Sequence, residues 1–281
     1  MEKKTISGLI VGGLGNKLFQ LFTLISTSID KNRPFKILYN KNDRRYNDII
    51  YHCFFKKLEN YVNNQDNYFD IHENYKHLIH FENSSFPVPT TEIPDNYEYL
   101  AGHYENFIYF DHNKEKIIKF LEIDYYQSLL KFNFDKIICL HLRFEDNVPY
   151  NIKSCNYYIK CFDELNKHLN GKINEYKIIV FIGKFENDNE LINNYLTILK
   201  TTFHYCDFII FRDLFPNVSL NEEFIYMSNC NYFITAHSTF SLLAFYLCPH
   251  KNKFATFSNS YMERPILHHL PNDSYICITE N

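Results

Sequence analysis

The chain has 281 residues, 46% of them apolar, so it can bury a substantial core, and domains of roughly 100–150 residues make two of them the natural expectation. Its 29 basic and 33 acidic residues leave a net charge of −4, which excludes nucleic-acid binding as the main business, because phosphate neutralisation needs clustered Lys and Arg. The one basic cluster, Lys41, Arg44 and Arg45, has Asp43 and Asp48 interleaved and reads as a solvated loop.

The first element is Thr5–Val11, an apolar run ending in glycines. It is too short for a membrane span of about 18 residues or more and reads as a β-strand rather than a signal peptide. Apolar positions over Asn16–Asp30 predict a largely buried helix, and Phe35–Tyr39 the next strand. Residues 40–95 are polar, aromatic-rich and without period, and predict short helices and loops. Tyr97–Gly102 follows as a strand and Lys114–Leu121 as a helix. A second series begins with strand Lys136–Leu142 and continues through helix Asn156–Leu169, strand Lys177–Ile182, helix Asn189–Leu199 and strand Asp207–Phe211. Helix Leu220–Ser228, strand Tyr232–Thr235, helix Thr239–Leu247 and strand Lys253–Phe257 complete it. Strands alternating with helices of this length predict parallel α/β sheets. A boundary near residues 122–135 gives domains 1–130 and 131–281.

Eight cysteines show no C-x-x-C, and several sit in apolar runs. They read as reduced thiols of an intracellular, cytoplasmic protein. No transmembrane segment is expected.

Three segments carry candidate chemistry. Gly12-Gly13-Leu14-Gly15-Asn16-Lys17 follows a strand and opens a helix, where glycines permit close approach and free N–H groups face an anion. Leu18 stands where a dinucleotide fingerprint needs glycine, and Asn16-Lys17-Leu18 fails the Walker pattern. A turn that merely lets the helix pack on its strand is the plain alternative. Next, Cys139-Leu140-His141-Leu142-Arg143-Phe144-Glu145-Asp146 ends a strand. Alternation puts His141 and Arg143 on one side, and a guanidinium offers a fixed fork of donors suited to a diphosphate. A salt bridge from Arg143 to Glu145 or Asp146 is the alternative. The third segment, Ala236-His237-Ser238-Thr239-Phe240-Ser241, precedes an apolar helix. Its hydroxyls suit either helix capping or a phosphate or ribose.

In order, these segments resemble the α-1,2-fucosyltransferases, glycosyltransferase family 11. That family's G-G-L-G-N-Q-M-F-Q is matched by Gly12-Gly13-Leu14-Gly15-Asn16-Lys17-Leu18-Phe19-Gln20, its H-x-R-R-G-D by His141–Asp146, and its M-S-x-C by Met227-Ser228-Asn229-Cys230. Its S-N-S-[ST]-F-S-W-W is matched from Ala236 to Leu243. Gly102-His103-Tyr104 before Tyr109-Phe110 echoes a G-Y-x-Q…Y-F segment, and Tyr157-Tyr158 heads a helix as in the family. The resemblance implies a GT-B-like architecture of two Rossmann-type domains with an interdomain cleft. The N-terminal domain would serve the acceptor and the C-terminal domain the nucleotide sugar.

It also implies transfer of fucose, with inversion, from GDP-fucose to a galactose-type hydroxyl of a glycan, without cofactor or metal. The absence of a D-x-D triplet agrees. Arg143 would then be the cation that stabilises the leaving group. Gly13, Gly15 and Asn16 would reach the phosphates, His141, His237, Ser238, Thr239 and Phe240 would line the donor pocket, and Glu223 would hold ribose or base. Asp146, Glu145 and His141 are the local proton acceptors. Glu145 stands for the family Gly, His237 for Asn, Leu242 and Leu243 for paired Trp, and Phe181-Ile182-Gly183-Lys184 for F-S-[DN]-[DN]. A transferase for another deoxysugar nucleotide, such as a rhamnose donor, and a sugar-nucleotide-binding protein without turnover stay open as alternatives.

Overall fold

The computed structural model describes residues 4–39, 57–58, 60–63, 79–82, 93–130, 132, 134, 136–144, 152–182, 190–259, 267 and 269–279. The basic cluster at Lys41, Arg44 and Arg45, together with Cys53, Gly183 and Lys184, lies outside them. The chain divides into two compact units, Met1–Leu129 and Leu130–Asn281.

In the first unit, strands β1 (Ile6–Ile10), β2 (Phe35–Tyr39), β3 (Val62–Asn63), β4 (Ile79–Glu82) and β5 (Tyr99–Gly102) form a parallel sheet in the order β3-β2-β1-β5-β4. β3 and β4 fall in the stretch expected to hold short helices and loops. Strands of two and four residues are too brief for a period of two to show. Helix α1 (Leu14–Lys31) is buried at nearly every position up to Thr27, as expected for a helix packed on several sides. Its Phe19 and Phe22 meet Phe110, with ring centroids 5.6 and 5.4 Å apart. Helices α2 (Lys114–Leu121) and α3 (Ile123–Ser128) close the unit.

The second unit has a six-stranded parallel sheet of β6 (Ile137–Leu142), β7 (Lys177–Ile182), β8 (Asp207–Ile210), β9 (Tyr232–Ile234), β10 (Phe254–Ser258) and β11 (Tyr275–Ile278), in the order β11-β10-β9-β6-β7-β8. Its helices are α4 (Cys155–His168), α5 (Glu190–Thr202), α6 (Phe211–Leu214), α7 (Leu220–Ser228) and α8 (Thr239–Leu247). Parallel strands are covered on both faces and so read as continuous apolar runs. β6 is buried at all six positions. Its Ile138, Leu140 and Leu142 share a core with Phe162 and Leu165 of α4 and Leu196 and Leu199 of α5. Leu242 and Leu243 are fully buried and serve as core side chains in α8. That helix ends where Lys253 Nζ donates to the carbonyls of Phe245, Tyr246 and Cys248 at 2.9, 3.1 and 3.0 Å. The seven described cysteines carry no disulfide, and no helix among the described residues is long and apolar enough to cross a membrane.

The glycine loop owes its support to how closely α1 lies on β1. A Cβ added at Gly8 would stand 2.7 Å from Leu24 Cδ2, and Leu24 is fully buried, so its side chain would have to shift within the core. Gly8→Ala is expected to destabilise the protein by about 1–3 kcal/mol, the usual cost of overpacking, read as a lower urea midpoint at unchanged m-value.

Candidate functional site

Ligands of open parallel sheets bind outside the carboxyl ends of the strands, at the point where the strand order reverses. In the second unit β6 pairs with β7 on one side and β9 on the other, so the chain leaves these two strands in opposite directions. His141 and Arg143 stand at the end of β6, and His237 and Ser238 follow β9.

Arg143 and Ser238 meet across this point: Arg143 Nη1 donates to Ser238 Oγ at 3.1 Å. Ser238 is 1% exposed and is also the N-cap of α8, where the same oxygen accepts from the Phe240 N–H at 3.3 Å. One hydroxyl therefore caps the helix and fixes the half-buried guanidinium. Behind it, the buried Tyr157 hydroxyl donates to the Thr235 carbonyl at 2.7 Å and holds the exit of β9. His237 and Thr239 flank Ser238 and are partly exposed.

His141 lies beneath this arrangement, its ring centroid 6.0 Å from that of Phe240, which in turn packs 5.2 Å from Phe224 of α7. Burial first, and the neighbouring Arg143 charge second, push its ionisation down to about 3. The imidazole is therefore neutral at physiological pH and a poor proton acceptor, which weighs against the expectation that it serves as base. Its buried Nδ1 has no hydrogen-bond partner among the described residues, leaving a polar atom for a ligand to satisfy.

Glu223 is held by a neighbouring cation. It is 3% exposed, and its Oε2 accepts from Arg212 Nη2 in a buried ion pair. Breaking such a pair to free the carboxylate costs more than a surface contact returns. Glu145 and Asp146 lie outside the described residues.

In the first unit β1 pairs with β2 and β5 and so lies in the middle of its sheet. At the end of β1, Gly12 has φ +91°, a conformation that favours glycine, and Gly13 is the N-cap of α1. No side chain caps this helix start and no acid stands in its first turn. Gly15 is buried and Asn16 partly exposed, with Asn16 Nδ2 3.4 Å from His103 Nδ1 at the exit of β5. Gln20, unassigned from the sequence although it closes the nine-residue match, grips the end of β1 with both ends of its amide. Its Oε1 accepts from the Val11 N–H at 2.8 Å and its Nε2 donates to the Val11 carbonyl at 3.0 Å.

The structure thus gathers Arg143, His141, Ser238 and Phe240 at the switch point of the second sheet, and Gly13, Gly15 and Asn16 with His103 at the carboxyl ends of β1 and β5 in the first.

No protein-family model matches the chain, and no curated protein matches it. Among solved structures, a mutant of Arabidopsis thaliana FUT1 in complex with GDP aligns at TM-score 0.51 and 14% identity, covering 97% of this chain and 73% of that one. The fold is shared. A glycosyl transferase family 9 protein from Veillonella parvula DSM 2008 aligns at 0.48 with 10% identity over 99% of this chain and 88% of that one. Fucosyltransferase NodZ from Bradyrhizobium aligns at 0.43 with 11% identity over 89% and 95%. The Arabidopsis likeness extends to the α/β fold with parallel sheets.

His141 also gives a stability test. The unfolded chain takes up its proton near pH 6.5, whereas the folded ring stays neutral down to about 3. The folded state therefore loses stability as pH falls through that window. His141→Asn is expected to flatten this loss, seen as a smaller drop in urea midpoint between pH 6.5 and 4 than in the wild type.

Proposed function

We propose that this protein is a glycosyltransferase that moves a sugar from a nucleoside diphosphate to a glycan hydroxyl, with the donor held by residues 131–281 and the acceptor by residues 1–130. The observation that carries this reading is the Arg143 guanidinium, pinned by Ser238 at the switch point of the second sheet. Departure of a nucleoside diphosphate develops negative charge on its terminal phosphate. A preorganised cation aimed there stabilises the transition state more than the ground state, which is what accelerates the step. Ser238 keeps the fork in place, so little reorganisation is needed as the charge appears. The neutral His141 ring offers a hydrogen bond without adding a second charge, and the N-terminus of α8 adds N–H groups beside it.

The motif resemblance supports the finer reading, transfer of fucose from GDP-fucose to a galactose-type hydroxyl with inversion and without a metal. The Arabidopsis FUT1 structure that shares the fold was solved with GDP. In this scheme Gly13, Gly15 and Asn16 contact the phosphates, and His237, Thr239 and Phe240 line the donor site. The ion-paired Glu223 acts by shaping that site from behind. Asp146 and Glu145 stay as proton acceptors alongside the motif. His237, in place of the family Asn, supports a second reading in which the donor is another deoxysugar nucleotide.

Calorimetric titration with GDP, GDP-fucose, UDP and NAD tests the proposal. GDP and GDP-fucose are expected to bind without added metal, and NAD not to bind. Arg143→Ala is expected to weaken GDP by about 2 kcal/mol or more, roughly 30-fold, the scale of a charge-assisted contact. Equal affinity of mutant and wild type would refute the role given to Arg143, and UDP binding in preference to GDP would replace the donor.

A further inference from the structure

At the far end of α1 from the glycine loop, the first unit holds a cavity of about 370 Å³, within the size range of small-molecule sites. The last turns of α1 contribute Thr27, Asp30 and Lys31 to it. His112 joins them from the 3-10 turn Asp111–Asn113. At about 1.5 Å of rise per residue, Asp30 stands roughly 25 Å along α1 from its Gly13 N-cap. The cavity is therefore separate from the carboxyl ends of β1 and β5.

Its polar side is fixed before any ligand arrives. Asp30 Oδ2 accepts from His112 Nε2 at 2.8 Å, and Oδ1 accepts from Asn113 Nδ2 at 2.7 Å. Asn113 is 2% exposed and also donates to the fully buried Ser26 Oγ at 3.0 Å. The carboxylate is thus clamped from the core side while the Asp30 side chain stays 44% exposed. Lys31 Nζ pairs with Asp95 Oδ1 at 2.5 Å, and Asp95 lies on the approach to β5. Each carboxylate of the lining already has a basic side chain beside it, so the described residues leave no cationic excess to draw in an anion. What they keep is carboxylate lone pairs and ammonium N–H groups, acceptors and donors for charge-assisted hydrogen bonds. The partly exposed Ile93 and exposed Pro94 add an apolar surface to the same cavity.

Such a lining suits a molecule that is uncharged, donates and accepts at closely spaced hydroxyls, and shows C–H faces between them. Sugars have all three properties. We propose that this cavity is a binding site for a neutral oligosaccharide, separate from the sites at the strand ends. Sugar hydroxyls donate to Asp30 and Asp95 and accept from Lys31, and a ring face lies on Ile93 and Pro94. A chain held there by one end keeps the rest of its length at high local concentration around the first unit. The cavity's own chemistry carries this, whatever the donor site holds.

His112 serves as the reporter. Its imidazole proton NMR signals, assigned by their loss in His112→Gln, are followed while the full chain is titrated at constant pH with lactose, a neutral disaccharide, and separately with inorganic phosphate. Lactose is expected to shift them saturably, and phosphate to leave them in place. Asp30→Asn is expected to weaken lactose by about 10-fold, the lower end for hydrogen bonds to a charged group. Pro94→Trp, at an exposed position, places an indole in the cavity and is expected to abolish the shift. Both variants should keep the wild-type thermal midpoint and GDP titration. If lactose leaves His112 unmoved, or if both variants respond to it as the wild type does, the cavity is no glycan site. A shift with phosphate in lactose's place would overturn the proposal as well. A wild type that binds lactose at His112 but no GDP would lose the donor reading and keep this one.

Discussion

Arg143 and Ser238 are 95 residues apart in sequence and share one hydrogen bond of 3.1 Å, and much of the second unit bears on keeping it. The bond exists because β6 and β9 are neighbours in the sheet, so that the residues just beyond their ends come within reach. It also exists because Ser238 is nearly inaccessible and doubly engaged, accepting from its own helix and from the guanidinium. Tyr157 fixes the strand exit, and the fully buried side chains of α8 fix the helix that follows. A guanidinium cannot lose its charge, so the packing around it has to supply a place where that charge is tolerated and aimed. Burial first, and the same charge second, keep His141 neutral.

The two sheets solve a common problem in similar ways. Each must end a central strand, turn the chain sharply and start a helix without leaving buried peptide groups unsatisfied. In the first unit Gln20 supplies both a donor and an acceptor to Val11, just past the last ladder pair of β1. In the second, Tyr157 takes the carbonyl of Thr235 just past β9. Both side chains reach in from the adjoining helix, and both are buried.

The alternation of strands and helices was legible because the strands of the second unit are long, apolar runs such as Ile137–Leu142 and Lys177–Ile182. The helices between them carry period and caps, as Ser219 and Glu222 do at the start of α7. β3, β4 and the short α6 were not, since two to four residues fix no period. At the site, His141 and Arg143 were visible as a strand-end pair, and Ser238 as a cap. Their hydrogen bond was not, because sheet order between distant strands leaves no local trace. The partner of Glu223 was hidden for a related reason. A carboxylate next to apolar positions on a helix shows nothing of Arg212, whose charge reaches it only once α6 and α7 are packed. Gln20 was hidden by its ordinary place in a helix.

The grip of Gln20 on Val11 has a thermodynamic side. Glycine-rich segments ordinarily surrender a great deal of backbone freedom when they close on a ligand, and that lost entropy subtracts from affinity. Here the peptide leading into Gly12 is already tethered at both its polar groups. A molecule arriving at this turn meets a cradle whose shape was decided during folding, so more of each contact it makes survives as net attraction.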